Sequence, residues 1–284
     1  YENYSLNFVS DFKKGIFGFG ETTTVTHNIH NWNDSLIMLA LKWSTCCPIY
    51  DAISSTGFAG AGLGTDLANS RATAEYTWDK SEANSITGNA WFTAEPIKGL
   101  KYKFNFGADL YRYNTRSYVA DYTVGDYQTN SPDTYTMSNS RSNRFLYEHT
   151  LSFDKMFGKH SINAMVGITS EETKGFGLTG SARSMPSSEV LILSATQDAS
   201  TKDVSSSESR SSMYSYLARL LYNYDGKYML AANFRRDGSS NFSSNHRYGN
   251  FPSFSAAWRI SQENFMKNIN WLDDLKIRAS WGQI

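Results

Sequence analysis

The chain has 284 residues and carries 27 Lys plus Arg against 27 Asp plus Glu, so its formal charge is zero. That balance gives no support for a nucleic-acid partner, which calls for a basic face. Mean hydropathy is −0.47, and the densest aliphatic run, Leu36 to Leu41, falls far short of the roughly 18 residues of a membrane helix. A helical membrane protein is excluded; a membrane β-barrel, whose strands are only half apolar, is not. Cys46 and Cys47 are adjacent, which suits neither a spaced metal motif nor a disulfide framework. Tyr1-Glu2-Asn3-Tyr4 is expected to be mature sequence rather than a signal peptide.

Aromatic residues, which favour strands, make up 15% of the chain. In chain order, weak period-two patterns at residues 4–10, 16–27 and 87–94 predict three strands. The clearest alternation starts at Leu100: Leu100, Tyr102, Phe104, Phe106, Ala108 and Leu110 share one face, against Lys101, Lys103, Asn105, Gly107 and Asp109. Phe145, Tyr147, Leu151 and Phe153 follow, then Ile162, Ala164, Val166 and Ile168, then Tyr214, Tyr216, Ala218, Leu220, Tyr222 and Tyr224. Tyr228, Leu230, Ala232 and Phe234 oppose Asn233, Arg235 and Asp237. Phe254, Ala256, Trp258 and Ile260 oppose Ser253, Ser255 and Arg259. Leu275, Ile277, Ala279 and Trp281 oppose Lys276, Arg278 and Ser280. About ten strands are expected by this rule.

The connections alternate in length. Short turns are predicted at Lys13-Lys14-Gly15, at residues 96–99 and 156–159, and at Asp225-Gly226; long polar segments are predicted at residues 28–85, 114–142, 170–212 and 238–249. An up-and-down membrane barrel, with short turns at the periplasmic rim and long loops outside, produces this rhythm. The connection 261–274 departs from it, and Asn264-Phe265-Met266 and Trp271-Leu272-Asp273-Asp274 suggest a brief helical turn there. A second short helix is expected over residues 34–41, capped by Asn33. The fold expected is therefore all-β, an antiparallel up-and-down barrel wall. Tyr102, Phe104, Phe106, Leu230, Phe234, Phe254 and Ile277 should face lipid, and Lys101, Lys103, Asn233, Arg235, Arg259 and Arg278 the lumen. Tyr and Trp near strand ends suit the aromatic girdles of such a wall. The alternatives are a soluble β-sandwich that binds carbohydrate through surface aromatics, and a passive porin-type channel.

The last third carries a resemblance. Tyr214-Ser215-Tyr216-Leu217-Ala218-Arg219-Leu220, Tyr222-Asn223-Tyr224-Asp225-Gly226-Lys227-Tyr228, Phe234-Arg235-Arg236-Asp237-Gly238-Ser239-Ser240-Asn241-Phe242, Gly249-Asn250-Phe251-Pro252-Ser253-Phe254-Ser255, Ala257-Trp258-Arg259-Ile260-Ser261 and the block from Trp271 to Gln283 together resemble the SusC/RagA family of TonB-linked outer-membrane proteins. Pro48-Ile49-Tyr50-Asp51, Ile97-Lys98-Gly99-Leu100-Lys101-Tyr102 and Phe157-Gly158-Lys159-His160 match more loosely. The resemblance implies a barrel of about 22 strands with a plugged lumen in the outer membrane of a Gram-negative, Bacteroidetes-like bacterium. It implies active import of glycans or peptides, a SusD-like surface lipoprotein as lid, and energy from the TonB–ExbB–ExbD complex through an N-terminal part that this chain lacks. Residues 1–284 are accordingly expected to be a barrel segment, a fragment without plug domain or remaining strands. The expected partners are that lipoprotein, the TonB complex, outer-membrane lipids and an oligosaccharide or peptide substrate.

No residue is assigned a catalytic, cofactor-binding or metal-binding role, and no enzyme activity is expected. Gly18-Phe19-Gly20 and Gly175-Phe176-Gly177 lack the longer glycine pattern of a phosphate loop, and no Gly-x-Ser-x-Gly elbow occurs. His27 and His30 have no carboxylate or thiol close by in sequence, whereas zinc requires three or four ligands. Arg235-Arg236-Asp237-Gly238 reads as a strand end, with Arg235 and Asp237 in the lumen and Gly238 opening a loop. Asp273-Asp274 reads as a turn without a basic partner nearby, and Asp225-Gly226 as a tight hairpin turn. Trp32, Trp43 and Tyr127, in long loops, are candidates either for stacking on sugar rings or for packing at the rim.

Overall fold

The computed structural model describes residues 1–31, 35–61, 67–266 and 271–283. Ten strands form one antiparallel sheet in which sequence neighbours are spatial neighbours. They are β1 (Glu2–Lys14), β2 (Phe17–His30), β3 (Thr77–Ile97), β4 (Leu100–Val119), β7 (Thr134–Phe157), β8 (His160–Arg183), β9 (Asp203–Tyr224), β10 (Tyr228–Ser239), β11 (Tyr248–Arg259) and β12 (Lys276–Gly282). A small hairpin, β5 (Tyr122–Val124) with β6 (Gln128–Asn130), sits inside one loop, and the alternation rule does not detect it. Among the described residues β1 and β12 are each paired on one side only, so the sheet is open.

The short turns lie at one rim and the connections after β2, β4, β8 and β10 at the other, as loop sorting predicts, while the longer 260–275 connection sits at the short-turn rim as the exception the sequence shows. The turns are built for tightness. Gly15, Gly99 and Gly158 take positive φ, and Asp225 (φ +53°) with Gly226 (φ +70°) closes β9 onto β10 with the doubly left-handed geometry that suits sheet twist. Lys159 reaches Asp225 at 2.8 Å and so ties two neighbouring turns together.

The strands run much further into the long segments than alternation suggested. The predicted loops 28–85, 114–142 and 170–212 shrink to the stretches between β2 and β3, β4 and β7, and β8 and β9. Strands β7 and β8 are 24 residues each, roughly 80 Å along the strand and about 55 Å along the membrane normal at a tilt near 45°. A lipid-facing band is about 25 Å tall, so half of each strand projects beyond it. There both faces are polar and the period-two signal is lost. Gly238 lies inside β10, paired with Tyr248 and Tyr214, and does not open the loop.

Two predicted helical turns are present in part. Ser35–Lys42 is helical (α1), while Asn33 and Asp34 lie outside the described residues. Asn264–Met266 forms a 3-10 turn, whereas 271–274 is turn and coil. A second helix, α2 (Ser70–Tyr76), was not anticipated.

The register carries parity across the whole sheet without a break between β4 and β12. One such row is Leu100, Phe153, Ala164, Leu220, Ala232, Phe254 and Trp281. Tyr102, Phe104, Phe106, Leu230, Phe234 and Ile277 fall on that same face. Among the described residues no second sheet covers it: Phe254 is 55% exposed, Leu230 54% and Ile277 58%. A soluble sandwich buries such a face against a partner sheet, which the described residues do not provide. Lys101, Lys103, Asn233, Arg235, Arg259 and Arg278 occupy the opposite face.

Candidate functional site

The apolar face meets the requirements of lipid in detail. At the short-turn rim a continuous aromatic ribbon crosses four strands. His160 lies against Tyr224 (ring centroids 4.8 Å), Tyr224 against Tyr228 (6.2 Å) and Tyr228 against Trp258 (6.5 Å). The polar tips are satisfied below it: Tyr228 Oη donates to Glu263 at 2.5 Å and Trp258 Nε1 at 3.1 Å, with Lys227 Nζ at 3.2 Å from the same carboxylate. Those donors, led by the Tyr228 hydroxyl, hold the Glu263 carboxyl below the ordinary range. His149, inside the band, meets Tyr102 Oη at 2.7 Å and packs on Phe104 (4.8 Å). From Tyr224 up to Tyr214 on β9 the face stays apolar over the 9–11 residues a tilted strand spends crossing a bilayer. Glu21 is an exception on this face, and nothing in the structure explains it.

The opposite face is mostly polar, with Leu146, Met165, Leu217 and Leu221 among its apolar members, and divides into two levels. The middle level holds a charged network across β3, β4, β7 and β8. Asn89 donates to Asn105 (3.3 Å) and Asn105 to Glu148 (2.9 Å), while Arg144 pairs with Glu171 (2.9 Å) and Thr87 donates to Asp109 (3.1 Å). Arg235 closes on Asp237 at 2.7 Å on β10, so this segment is an internal ion pair of the polar wall. The upper level is almost uncharged. Rows such as Ser85, Tyr111, Ser142, Gly175, Ser209 and Ala83, Tyr113, Ser140, Gly177, Ser207 make a floor of small hydroxyls and bare backbone. The glycines keep it flat: a Cβ on Gly175 would sit 2.5 Å from Ser209 Oγ. Tyr111 and Tyr113 stand on this floor with their rings stacked (6.1 Å, 15°). Gly175-Phe176-Gly177 is thus strand, with Phe176 turned to the outer face and the glycines inward.

Above the polar face the loops are tied to one another. Asn69, 1% exposed, caps α2 by accepting from Arg71 N and Ala72 N, and donates to the carbonyls of Ile49 (2.7 Å) and Ala59 (2.9 Å). Gln128 of the small hairpin accepts from Asn69 N at 2.7 Å. Phe58, Ala72 and Val124 form a small core beneath. Asp133 links the next loops, accepting from Tyr118 Oη (3.1 Å) and Met185 N (3.0 Å). Among the loop aromatics, Trp43 donates its indole N–H to Cys47 O, Tyr127 is 71% exposed at the hairpin tip, and Trp32 lies outside the described residues.

Several sequence motifs resolve into structure. His27 and His30 point to opposite faces of β2, His27 meeting Asn84 Oδ1 at 2.7 Å, so they cannot share an ion. Asp274 does have a basic partner, contrary to the sequence reading. Arg259, brought back by the 260–275 connection, clamps it with two hydrogen bonds of 2.9 and 3.0 Å, and Ser261 adds one of 2.7 Å. The guanidinium and that hydroxyl pull the Asp274 carboxyl down to about 2.

Comparison with known proteins agrees with this wall. Residues 5–284 match the family described as TonB dependent receptor-like, beta-barrel. The chain is 28% identical over 291 residues to TonB-dependent receptor P3 of Formosa agariphila, covering 99% of this chain and 28% of that protein. It is 30% identical over 225 residues to TonB-dependent receptor SusC of Bacteroides thetaiotaomicron, covering 75% of this chain and 21% of that protein. Its fold superposes on the solved RagAB peptide transporter with a TM-score of 0.79 at 20% identity, over 99% of this chain and 32% of that one. The chain thus spans about a quarter of the curated relatives, which are named as receptors and not as enzymes. The chain belongs to the TonB-dependent receptor family, as SusC/RagA-like β-barrel wall of the outer membrane.

Proposed function

We propose that residues 1–284 are one part of a larger barrel wall whose parent protein actively imports large nutrients such as glycans or peptides. The observation that carries this reading is the unbroken register, which leaves one face apolar over a bilayer's thickness and gathers the charged and hydroxyl side chains of those strands on the other. Unpaired backbone on β1 and β12 is costly in hydrocarbon, which supports further strands beside them. The neutral upper floor, with Tyr111 and Tyr113 standing on it, suits an uncharged, hydrogen-bonding substrate that stacks on aromatic rings. A relative named SusC and a structural neighbour titled a peptide transporter support the substrate range, a SusD-like lipoprotein lid and energy from the TonB–ExbB–ExbD complex.

The test is uptake of the large substrate in a strain lacking TonB. Loss of uptake with normal barrel assembly supports active import; unchanged uptake favours the passive channel. Tyr111→Ala with Tyr113→Ala, in the TonB-replete strain, should lower uptake about tenfold if each ring contributes ordinary stacking energy.

A further inference from the structure

At the middle level of the polar face one aromatic ring lies down on the wall. Trp91 projects inward from β3, opposite Gly20 of β2 and Asn105 of β4. A Cβ on Gly20 would sit 2.2 Å from Trp91 Cζ2 and 2.6 Å from Cε2, so the indole fills space that only a glycine leaves free. The ring lies across bare backbone and remains half-buried. Lys103 Nζ is over it at 6.0 Å from the centroid, the outer limit of a cation–π contact. A tryptophan usually finds an acceptor for its N–H when it is taken out of water. Among the described residues the N–H of Trp91 has none.

The polar groups around this ring present open acceptors. Asn105 Nδ2 donates to Glu148 Oε2 (2.9 Å) and Asn89 Nδ2 donates to Asn105 Oδ1 (3.3 Å). Thr87 donates to Asp109 Oδ1 at 3.1 Å. Among the described residues Glu148 Oε1, Asn89 Oδ1 and Asp109 Oδ2 receive no hydrogen bond. Where Gly107 follows Asn105 on β4, a hollow of about 150 Å³ opens between Thr87, Asp109 and Arg144, the room of about five waters. Trp91 lies six positions below Ser85, the β3 partner of Tyr111, roughly 14 Å nearer the short-turn rim along the membrane normal. The polar wall therefore offers aromatic rings at two heights, Tyr111 with Tyr113 above and Trp91 below.

We propose that Trp91 is a sugar-ring subsite in the barrel wall and, resting on the import reading above, that the nutrient passing it is an oligosaccharide and not a peptide. A sugar ring has an apolar C–H face and an edge of hydroxyls. The indole takes the face. The open oxygens of Glu148, Asn89 and Asp109 accept from hydroxyls, while Lys103 and the indole N–H donate to them. A cationic peptide side chain, the other partner that an indole attracts, meets Lys103 already in that place. A peptide backbone has no C–H face ringed by hydroxyls, so it does not cover the indole and reach these acceptors together.

The full-length protein, purified in detergent, is offered a pool of neutral hexose oligosaccharides and, separately, a tryptic peptide pool, and retained ligand is read by native mass spectrometry. Oligosaccharide should be retained and peptide lost on washing. Peptide held as well as sugar, or neither held, overturns the proposal. Hydroxyl-radical footprinting of the unsubstituted protein then locates the site: bound oligosaccharide should shield Trp91 from oxidation, and an unshielded Trp91 beside bound sugar overturns the subsite. Trp91→Ala, checked for assembly by heat-modifiable gel migration, should bind the sugar about tenfold more weakly, while Trp91→Phe, which keeps a ring, should lose less. Unaltered affinity in the assembled Trp91→Ala protein also overturns it; if that variant does not assemble, the footprint decides. Uptake that persists without TonB would refute the import reading and leave the retained sugar and the Trp91 footprint intact, so the two failures are told apart.

Discussion

Asn69 and Gln128, 59 positions apart, close two outer loops on each other, the side-chain oxygen of Gln128 accepting from the Asn69 backbone at 2.7 Å. Asn69 is at once a helix cap, a buried double donor and a backbone anchor, so its loss strands several groups. Asn69→Ala should destabilise the loop cap by about 1–3 kcal/mol, combining a lost N-cap with unsatisfied carbonyls of Ile49 and Ala59. Limited proteolysis within the β2–β3 loop should accelerate while heat-modifiable migration of the barrel stays unchanged. Co-unfolding of loop and barrel would show that the cap is not a separate unit.

The Arg259–Asp274 clamp gives the short-turn rim a definite acid limit. The Asp274 carboxyl is depressed from 3.8 to about 2. A group with a depressed folded value contributes stability above its unfolded value, and that contribution is lost as pH falls through the folded one. A spin label at Trp271→Cys should therefore stay restrained as pH drops through 3.8 and loosen only near about 2. Asp274→Asn should leave the label loose at neutral pH. A wild-type transition centred at the ordinary carboxylate value would contradict the clamp.

Depth on the apolar face sets the cost of charge. Phe104, in the middle of the band, should lose about 2–4 kcal/mol of assembly stability as Phe104→Arg, whereas Ile277→Arg, level with the aromatic ribbon at the rim, should lose about 0–1 kcal/mol. Urea titration of the folded fraction in lipid vesicles measures both. Equal penalties at the two sites would remove the depth assignment.

The sequence revealed this fold wherever its two faces differ chemically. Leu100 to Leu110 alternates because lipid lies on one side and water on the other, and the structure keeps that parity through Trp281. Above the band Ser140, Arg141, Ser142 and Asn143 are polar on both faces, so strand and loop look alike and β7 was read ten residues short at its outer end. The clamp between Arg259 and Asp274 was hidden by the connection that separates them. Glu172 with Lys174 and Arg210 was hidden for a related reason: Lys174 and Arg210 become neighbours only once the β8–β9 register is known. The loop cap, held by Asn69 and Gln128, has no periodic signal at all.

Quenching of single fluorophores at paired positions tests the two-faced wall most directly. Cysteines replacing Phe104, Leu230 and Phe254, and others replacing Lys103, Asn233 and Ser253, are labelled one at a time in the full-length protein in bilayers. The first three should be quenched by bromine-bearing lipid and shielded from an aqueous quencher, and the second three should show the reverse. Equal access to both quenchers on the two sets would contradict a membrane wall.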